Sequence, residues 1–408
     1  MIEIILLEWL EFAVRWVHII TAIAWIGSSF YFIALDLGLK KNSSLPYGVT
    51  GEEWQVHGGG FYNIQKYSIA PPNLPQDLIW FKWESYSTWL SGFFLLAIVY
   101  YGGADLYLID TEIADINNFQ AISISLGSIL FGWIIYNSAC KSPLGNNSNL
   151  LLILLFFFLL FLSWFYTSIF SGRAAFLHLG AITATLMTAN VFFIIIPNQK
   201  IVVSDLKAGR NPDPKFGIIA KQRSTHNNYL TLPVIFFMLS NHYPLAFASE
   251  LNWAIAPLVF LLGVSIRHYF NTYHATKKKL YWTWIITFII FAVIIGLSSY
   301  KKNSLVLSEN VDDLERIYNL EITDLNNEVH DIISARCTMC HAKEPLWDGF
   351  LNAPKGFIIE NKEDIKRYAR QVYVQSALSK AMPPNNISYM EDIERFTIQY
   401  WYENTQIK

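Results

Sequence analysis

The 408-residue chain is poor in charged residues and in cysteine. Charged residues make up only 15% of it and the formal net charge is −2, which excludes a basic protein that binds nucleic acid through its surface. It has three cysteines, and only two of them form a CxxC motif, so the usual pair of zinc-binding motifs is absent from the sequence. Hydrophobic residues, in contrast, reach 53%, a composition unlike that of a small soluble protein.

Long apolar segments recur over the first three-quarters of the chain. Crossing the hydrocarbon core of a bilayer takes ~20 apolar residues. The sequence therefore predicts an all-α fold, a polytopic membrane helix bundle with eight spans. The predicted spans are about 8–35, 86–101, 119–136, 150–170, 174–196, 230–249, 253–270 and 281–299. We assign 1–300 to this membrane domain, 301–329 to a polar linker and 330–408 to a C-terminal domain.

Basic residues are distributed unequally between the two sides of this predicted bundle. The connectors on one side carry fourteen lysines and arginines, and those on the other side offer only Arg173. The basic connectors are 36–85, 137–149, 197–229 and 271–280. The positive-inside rule then predicts a multi-pass protein of the bacterial inner membrane with its N-terminus and C-terminal domain in the periplasm. The first segment is too long for a cleavable signal peptide and lacks a basic start, so we expect it to remain as an anchor.

The C-terminal domain differs in composition from the membrane part. Residues 303–408 hold 11 lysines and arginines against 17 acidic residues, a net charge of −6, with no long apolar run. They contain Cys337-Thr338-Met339-Cys340-His341, the spacing with which two cysteines form thioethers to one haem and the adjacent histidine ligates its iron. A redox pair or half of a zinc site are the alternatives for a lone CxxC.

A sixth ligand for the predicted haem c follows at a sensible distance in the sequence. Met382 lies in Lys380-Ala381-Met382-Pro383-Pro384, a loop stiffened by prolines that can present a thioether to iron. We therefore predict His341 and Met382 as the axial ligands, in a small domain similar to a class I cytochrome c.

Ionisable residues also occur inside the predicted spans, where each needs an explanation. Glu11 and Arg15 are four residues apart on the first helix, the spacing of an ion pair. His18 follows near mid-membrane, and its two interpretations are a neutral histidine bonded to a neighbouring helix or an axial ligand of an intramembrane haem b. His178 and His242 are the candidates for the second imidazole of such a haem.

A denser group of polar residues precedes the sixth predicted span. Residues 222–229 bring an arginine, a histidine, two asparagines, hydroxyls and a tyrosine to what we predict is its cytoplasmic mouth. A helix cap needs only one such residue, so the group is suited to a flat, polar, anionic heterocycle, with Arg223 available for its charge. The first connector adds His57 before three glycines and Glu84 at the entrance to the second span, although a plain flexible loop explains the glycines equally well.

Nearly the whole chain resembles the bacterial membrane-bound urate oxidases that end in a cytochrome c domain. The stretches that carry the resemblance are WVH and WIG within 16–27, EW and HGGGFY within 53–62, FKWESY at 81–86, RSTHNNY at 223–229 and SNHYP at 240–244, followed by CxxCH. The resemblance implies oxidation of urate to 5-hydroxyisourate in purine catabolism. It also implies that electrons leave through the cytochrome domain to a respiratory acceptor, a periplasmic cytochrome or a terminal oxidase, and do not reduce oxygen.

Combined with the residues, this resemblance suggests roles for the polar group. We expect His226 to act as general base and Arg223 to bind the substrate anion. Asn227, Asn228, Glu84 and the His57 loop would orient the ring. A hydrocarbon core about 30 Å thick separates this group from the predicted haem, which leaves open a second haem as a bridge.

Two further alternatives stay open at this stage. The substrate pocket could instead lie on the outer side, around His18, Arg173, His178 and His242. The competing functions are a membrane-anchored electron carrier without substrate chemistry, and a haem-biosynthetic membrane oxidase.

Overall fold

The computed structural model describes residues 2–71, 73–299, 311–348 and 350–405. About 72% of the chain is helical and 5% is in strands, so the predicted all-α class fits. The α-helices are α1 Ile2–Gly38, α2 Trp83–Leu95, α3 Ala104–Tyr107, α4 Asn118–Lys141, α5 Ser148–Thr167, α6 Gly172–Ala189, α7 Ile196–Lys207, α8 Pro214–Leu239, α9 Pro244–Phe247, α10 Asn252–Thr276, α11 Tyr281–Ser298, α12 Val311–Tyr318, α13 Ile322–Arg336, α14 Thr338–His341, α15 Lys362–Arg367, α16 Ala369–Val372 and α17 Asp392–Thr405. Three π-helical turns, Leu96–Tyr101, Asn190–Ile195 and Tyr373–Leu378, continue α2, α6 and α16.

Within the described ranges, six helical segments are long and apolar enough to cross a membrane. They are Ile5–Gly38, Asn118–Lys141, Leu150–Thr167, Gly172–Lys207, Asn252–Thr276 and Tyr281–Ser298. Two of the eight predicted spans are not among them. Predicted span 86–101 is helical as α2 and its π-turn, but the first half of α2 is too polar for it to be among the six. Predicted span 230–249 had the wrong boundaries, because α8 begins at Pro214 and ends at Leu239.

The shift of α8 changes the position of its polar residues. The sequence 240–243 ends the helix in a short 3-10 turn, Ser240–His242, and α9 follows after it. The polar stretch that precedes residue 230 is instead helical, and four of its side chains are buried: Arg223, His226, Asn227 and Asn228. Residues 223–228 therefore lie in the middle of a 26-residue helix and not at its mouth.

The first connector contains a hairpin that the sequence did not predict. Strand β1, Val49–His57, pairs antiparallel with β2, Gly60–Tyr67, and His57 faces Gly60 across the turn. Gly58 and Gly59 form that turn with φ of 58° and 78°, a conformation that favours glycine. The hairpin is held to the end of α1, where Tyr31 Oη donates to Gln55 Oε1 at 2.9 Å.

The core of the membrane part lies between α4, α5, α6, α8 and α10. Leu179, Ile182 and Phe237 are among its fully buried side chains. Helices α8 and α10 approach closely, since a Cβ on Gly263 would lie 2.5 Å from the Pro233 ring. This packing fixes the position of the polar side chains of α8 relative to α4, α6 and α10.

The C-terminal domain has a separate hydrophobic cluster in which α13 packs on α17. Leu325, Val329 and Ile333 of α13 are buried there, and Trp401 Nε1 of α17 donates to Asn326 Oδ1 at 2.8 Å. The predicted linker 301–329 differs from this structure. Residues 301–310 lie outside the described residues, whereas 311–329 is largely helical because its apolar residues recur at helical spacing.

The C-terminal domain contacts the segment between the π-turn of α2 and α4. Asn386 Nδ2 donates to Glu112 Oε1 at 2.7 Å, and Asn385 Nδ2 donates to the Asp105 carbonyl at 3.3 Å. A cleft of about 570 Å³ lies between the two contacting segments. The domain and the acidic connector 102–118 are therefore on the same side of the bundle.

Candidate functional site

A buried polar centre lies where α4, α6 and α8 meet. Tyr136 and Asn137 come from the last turns of α4, whose start is fixed by a reciprocal capping box between Asn117 and Gln120. Asn190 is the first residue of the π-turn that follows α6. Such turns add a residue to the helix and re-aim the side chains near it, and they occur often at functional sites.

Arg223 is the charged residue of this centre, and its side chain is only 1% exposed. Its Nη1 donates to Asn190 Oδ1 at 3.2 Å and its Nη2 to Asn137 Oδ1 at 3.0 Å. The guanidinium lies over the Tyr136 ring at 5.0 Å. No carboxylate among the described residues pairs with it, and its Nε has no hydrogen-bond partner there. A buried cation without an acid costs several kcal/mol, so the centre is suited to an anion.

His226 lies one turn after Arg223 and is 2% exposed. Its Nδ1 is 2.8 Å from Tyr136 Oη, and Tyr136 also accepts a hydrogen bond from Asn190 Nδ2 at 3.0 Å. If Nδ1 carries the proton and donates to Tyr136, Nε2 has a free lone pair. The arrangement can therefore supply a base beside the guanidinium, oriented by a tyrosine.

Asn227 and Asn228, which were predicted together, belong to different faces of α8. Asn227 Oδ1 accepts from Asn190 Nδ2 at 2.9 Å, and its Nδ2 donates to the Met187 carbonyl at 2.9 Å. Its amide is thus used to hold Asn190. Asn228 instead contacts α10, where Asn271 Nδ2 donates to its Oδ1 at 2.8 Å.

Glu84 and His57 are not joined to this centre by any hydrogen bond or ion pair that the described residues form. Glu84 is half-buried in the first turn of α2, and its carbonyl accepts from Thr88 Oγ1 at 2.6 Å. His57 is exposed at the tip of the hairpin. Their predicted role in orienting substrate remains a prediction.

Sequence reasoning missed Tyr136, Asn137 and Asn190, which provide most of the contacts to Arg223 and His226. A weak signal for them existed. Asn190 is an amide within the predicted span 174–196, and Tyr136 ends the predicted span 119–136 with Asn137 directly after it. Polar side chains at such positions need hydrogen-bond partners within the membrane, but the sequence does not show which helices provide them.

The three histidines considered for an intramembrane haem have separate surroundings. His18 Nδ1 donates to the Thr88 carbonyl at 3.0 Å, which leaves its Nε2 free. His178 uses both nitrogens, since Nδ1 donates to the Ala174 carbonyl and Nε2 accepts from Ser125 Oγ, each at 2.7 Å. His242 is exposed in the turn after α8. Arg173, predicted to lie on the outer side, stacks on Phe247 at 5.2 Å. The intramembrane haem remains a prediction.

The CxxCH motif forms a short helical turn after α13. His341 Nδ1 donates to the Phe357 carbonyl at 2.8 Å, and because a carbonyl only accepts, Nε2 carries the lone pair that a metal would need. Burial lowers the pKa of His341, and the hydrogen bond to Phe357 opposes that shift. The imidazole is thus suited to remain neutral at physiological pH.

Burial disfavours the thiolate form of both cysteines of this motif. Burial raises the pKa of the Cys337 thiol to about 12, so a free sulfur here would keep its proton at neutral pH. In the part of the chain that the structure describes, no group of three or more histidines, cysteines and acids could complete a zinc site. Two cysteines and one oriented histidine are the donor set that covalent haem uses.

Met382 lies on a loop whose backbone accepts hydrogen bonds from the buried side chain of Arg395, which is 6% exposed. Arg395 Nη1 donates to the carbonyls of Met382 at 2.8 Å and Ser376 at 2.7 Å, and its Nη2 donates to Asn386 Oδ1 at 3.1 Å. Burial lowers the pKa of Arg395, and Asp392 and Glu112 oppose that shift. The loop that presents the half-buried Met382 is therefore fixed at its backbone.

Comparison with known proteins gives one match. The family model described as urate oxidase N-terminal matches residues 4–298. No curated protein and no solved structure matches the chain.

Proposed function

Because this chain belongs to the urate oxidase N-terminal family, we propose that it oxidises urate to 5-hydroxyisourate in purine catabolism. The family match covers the helices that hold Arg223, His226, Tyr136 and Asn190. The cytochrome-linked form of the reaction, the electron acceptor and the residue roles below are parts of the same proposal.

One observation supports the proposal most strongly. The guanidinium of Arg223 is buried, has no acid partner among the described side chains and keeps one N–H group without an acceptor. Urate is a planar monoanion at neutral pH, with ring N–H groups and carbonyl oxygens on its edges. Bound urate would neutralise Arg223 and accept a hydrogen bond from its free Nε–H group. This would explain why a buried cation is tolerated at this position.

The residues of the centre would then divide the chemistry. Urate monoanion and water give 5-hydroxyisourate, one proton and two electrons, with a new C5–O bond formed from water. His226 Nε2 would take the water proton while Nδ1 donates to Tyr136, which keeps the ring in the productive orientation. Asn190, held by Asn227, would fix Arg223 and so the plane of the bound anion.

The C-terminal domain would receive the electrons. When bound, haem c would supply a one-electron acceptor held by Cys337 and Cys340, with His341 and Met382 as axial ligands. We assign this domain to the periplasm and the helices to the bacterial inner membrane, with a periplasmic cytochrome or terminal oxidase as the final acceptor.

The distance between the centre and this domain is large. Tyr136 and Asn190 each lie 18 residues after the outer starts of α4 and α6, which is ~27 Å of helix. Aromatic rings cover part of that distance, with Tyr100 6.0 Å from Tyr107 and 6.4 Å from the His178 ring. We expect Tyr100→Leu to slow electron arrival at the C-terminal domain without changing urate affinity.

The test of the proposal is an anaerobic assay in water labelled with ¹⁸O. Purified protein is mixed with urate and ferricyanide as the artificial electron acceptor, and the product is analysed by mass spectrometry. We expect 5-hydroxyisourate that carries one labelled oxygen. An electron carrier without substrate chemistry would leave urate unchanged, and that result would contradict the proposal.

Two variants test the role of His226. His226→Ala should lower the rate about 10²–10⁴-fold, the contribution that a general base makes. His274→Ala is the matched control, since this histidine lies on α10 with its ring against Tyr273. It should keep the wild-type rate. Equal rates in wild type and His226→Ala would eliminate His226 as the base.

A further inference from the structure

A second buried arginine lies on the other flank of α8. Arg267 of α10 is 8% exposed, and its guanidinium is 4.3 Å from the centre of the Phe30 ring of α1. No carboxylate that the structure describes lies within ion-pair distance of it. Like Arg223, it is a cation in the interior of the membrane bundle that lacks an acid, a costly arrangement without a counter-charge.

The side chains around Arg267 provide hydrogen-bond donors in excess of acceptors. Arg267 Nε and Asn271 Nδ2 both donate to Asn228 Oδ1, at 3.4 and 2.8 Å, and Arg267 Nη2 donates to Asn271 Oδ1 at 3.1 Å. Asn228 is 1% exposed, and its Nδ2 has no partner in the described chain. Both amide oxygens are therefore in use, and the buried N–H groups of Asn228 remain free.

This flank is separate from the Arg223 centre. Asn228 is one residue from Asn227, which rotates its side chain about 100° around α8 toward α10. Among the described residues, the side-chain hydrogen bonds of Asn228 go to Arg267 and Asn271, whereas those of Asn227 go to α6 and the π-turn after it. The two arginines share no hydrogen-bond partner among those that the structure shows.

We propose that Arg267, Asn228 and Asn271 form a second anion-binding site, which takes a small oxyanion such as a carboxylate or a phosphate group. The oxyanion would accept from Asn228 Nδ2 and neutralise the guanidinium, while Phe30 covers one guanidinium face. The oxyanion would be either a soluble anion or the phosphate of a lipid headgroup. The site is distinct from the urate centre and does not depend on the proposed reaction.

Thermal unfolding of the purified full-length protein tests the site. The protein is kept in neutral detergent and zwitterionic buffer, and is titrated with formate, with inorganic phosphate or with phosphatidylglycerol in the micelles. Chloride at equal ionic strength corrects for screening. We expect a saturable rise in unfolding temperature, because a ligand that binds only the folded state stabilises it. A response to formate or phosphate identifies a soluble anion, and a response to phosphatidylglycerol alone identifies a lipid.

Variants then assign the response. Asn228→Asp places a carboxylate beside Arg267, so it should raise the unfolding temperature without ligand. It should also raise the ligand concentration needed for half of the response at least tenfold. Arg267→Met should also lose the response, whereas Arg210→Met, which removes an exposed arginine paired with Asp205, should keep it. A wild-type protein that responds to none of the probes overturns the proposal. So does loss of the response in Arg223→Met alone, which would place the anion in the urate centre.

Discussion

Replacing Arg223 by methionine separates a ligand-binding arginine from a structural one. Methionine fills a similar volume but removes the charge and all donors. If Arg223 binds urate, the variant loses a charge-assisted contact worth about 1.5–3 kcal/mol. Because 1.4 kcal/mol is tenfold, the urate dissociation constant should rise about 10- to 150-fold.

The stability of the same variant should change little, for a reason visible in the contacts. The oxygens of Asn190 and Asn137 each lose their arginine donor, which costs about 1–3 kcal/mol apiece. Removing a buried cation without an acid partner recovers several kcal/mol. The two effects oppose each other, so we expect an unfolding temperature close to that of wild type.

The assay is equilibrium binding of urate together with thermal unfolding, on the purified protein under argon. Arg395→Met is the matched control, because Arg395 is also buried but has three acceptors and acidic neighbours. It should destabilise the C-terminal domain and leave urate affinity unchanged. The reasoning is refuted if Arg223→Met binds urate like wild type, or if it unfolds as readily as the Arg395 variant.

Three further predictions concern the remaining residues. Tyr136→Phe removes the partner of His226 Nδ1, so kcat should fall about tenfold with little change in KM, measured by steady-state urate oxidation; an unchanged kcat would contradict this role. The double variant Cys337→Ser, Cys340→Ser should give no haem-stained band on denaturing gels, whereas Cys140→Ser should stain like wild type. Met382→Ala should lower the haem reduction potential in a redox titration, because a methionine ligand raises it; an unshifted potential would exclude Met382 as ligand.

Features that depend on local spacing could be predicted from the sequence. The CxxCH turn needs only neighbours in the chain, and the apolar runs that form α1, α4, α5, α10 and α11 are long enough to be read directly. The resemblance to urate oxidases, seen in short sequence stretches, agrees with the family model that matches residues 4–298. The hairpin Val49–Tyr67 was missed, although its glycines mark the turn, because its strands do not alternate clearly between polar and apolar residues.

Features that depend on which helices meet could not be predicted. The start of α8 at Pro214 was missed because residues 221–229 are polar, and only side-chain contacts with α4, α6 and α10 allow Arg223, His226, Asn227 and Asn228 to be buried. The same is true of the partners of Arg223. The hydrogen bond between Tyr136 and Asn190 joins residues 54 apart in the chain. It also depends on a π-turn, which the residue spacing does not predict.

The most direct measurement of the central claim is the haem spectrum of the purified protein after urate is added without oxygen. The proposed function predicts that reduced haem absorbance appears in wild type, that two haems are reduced for each urate consumed, and that Arg223→Met needs far more urate for the same rate. An oxidised spectrum that does not change at saturating urate would contradict it.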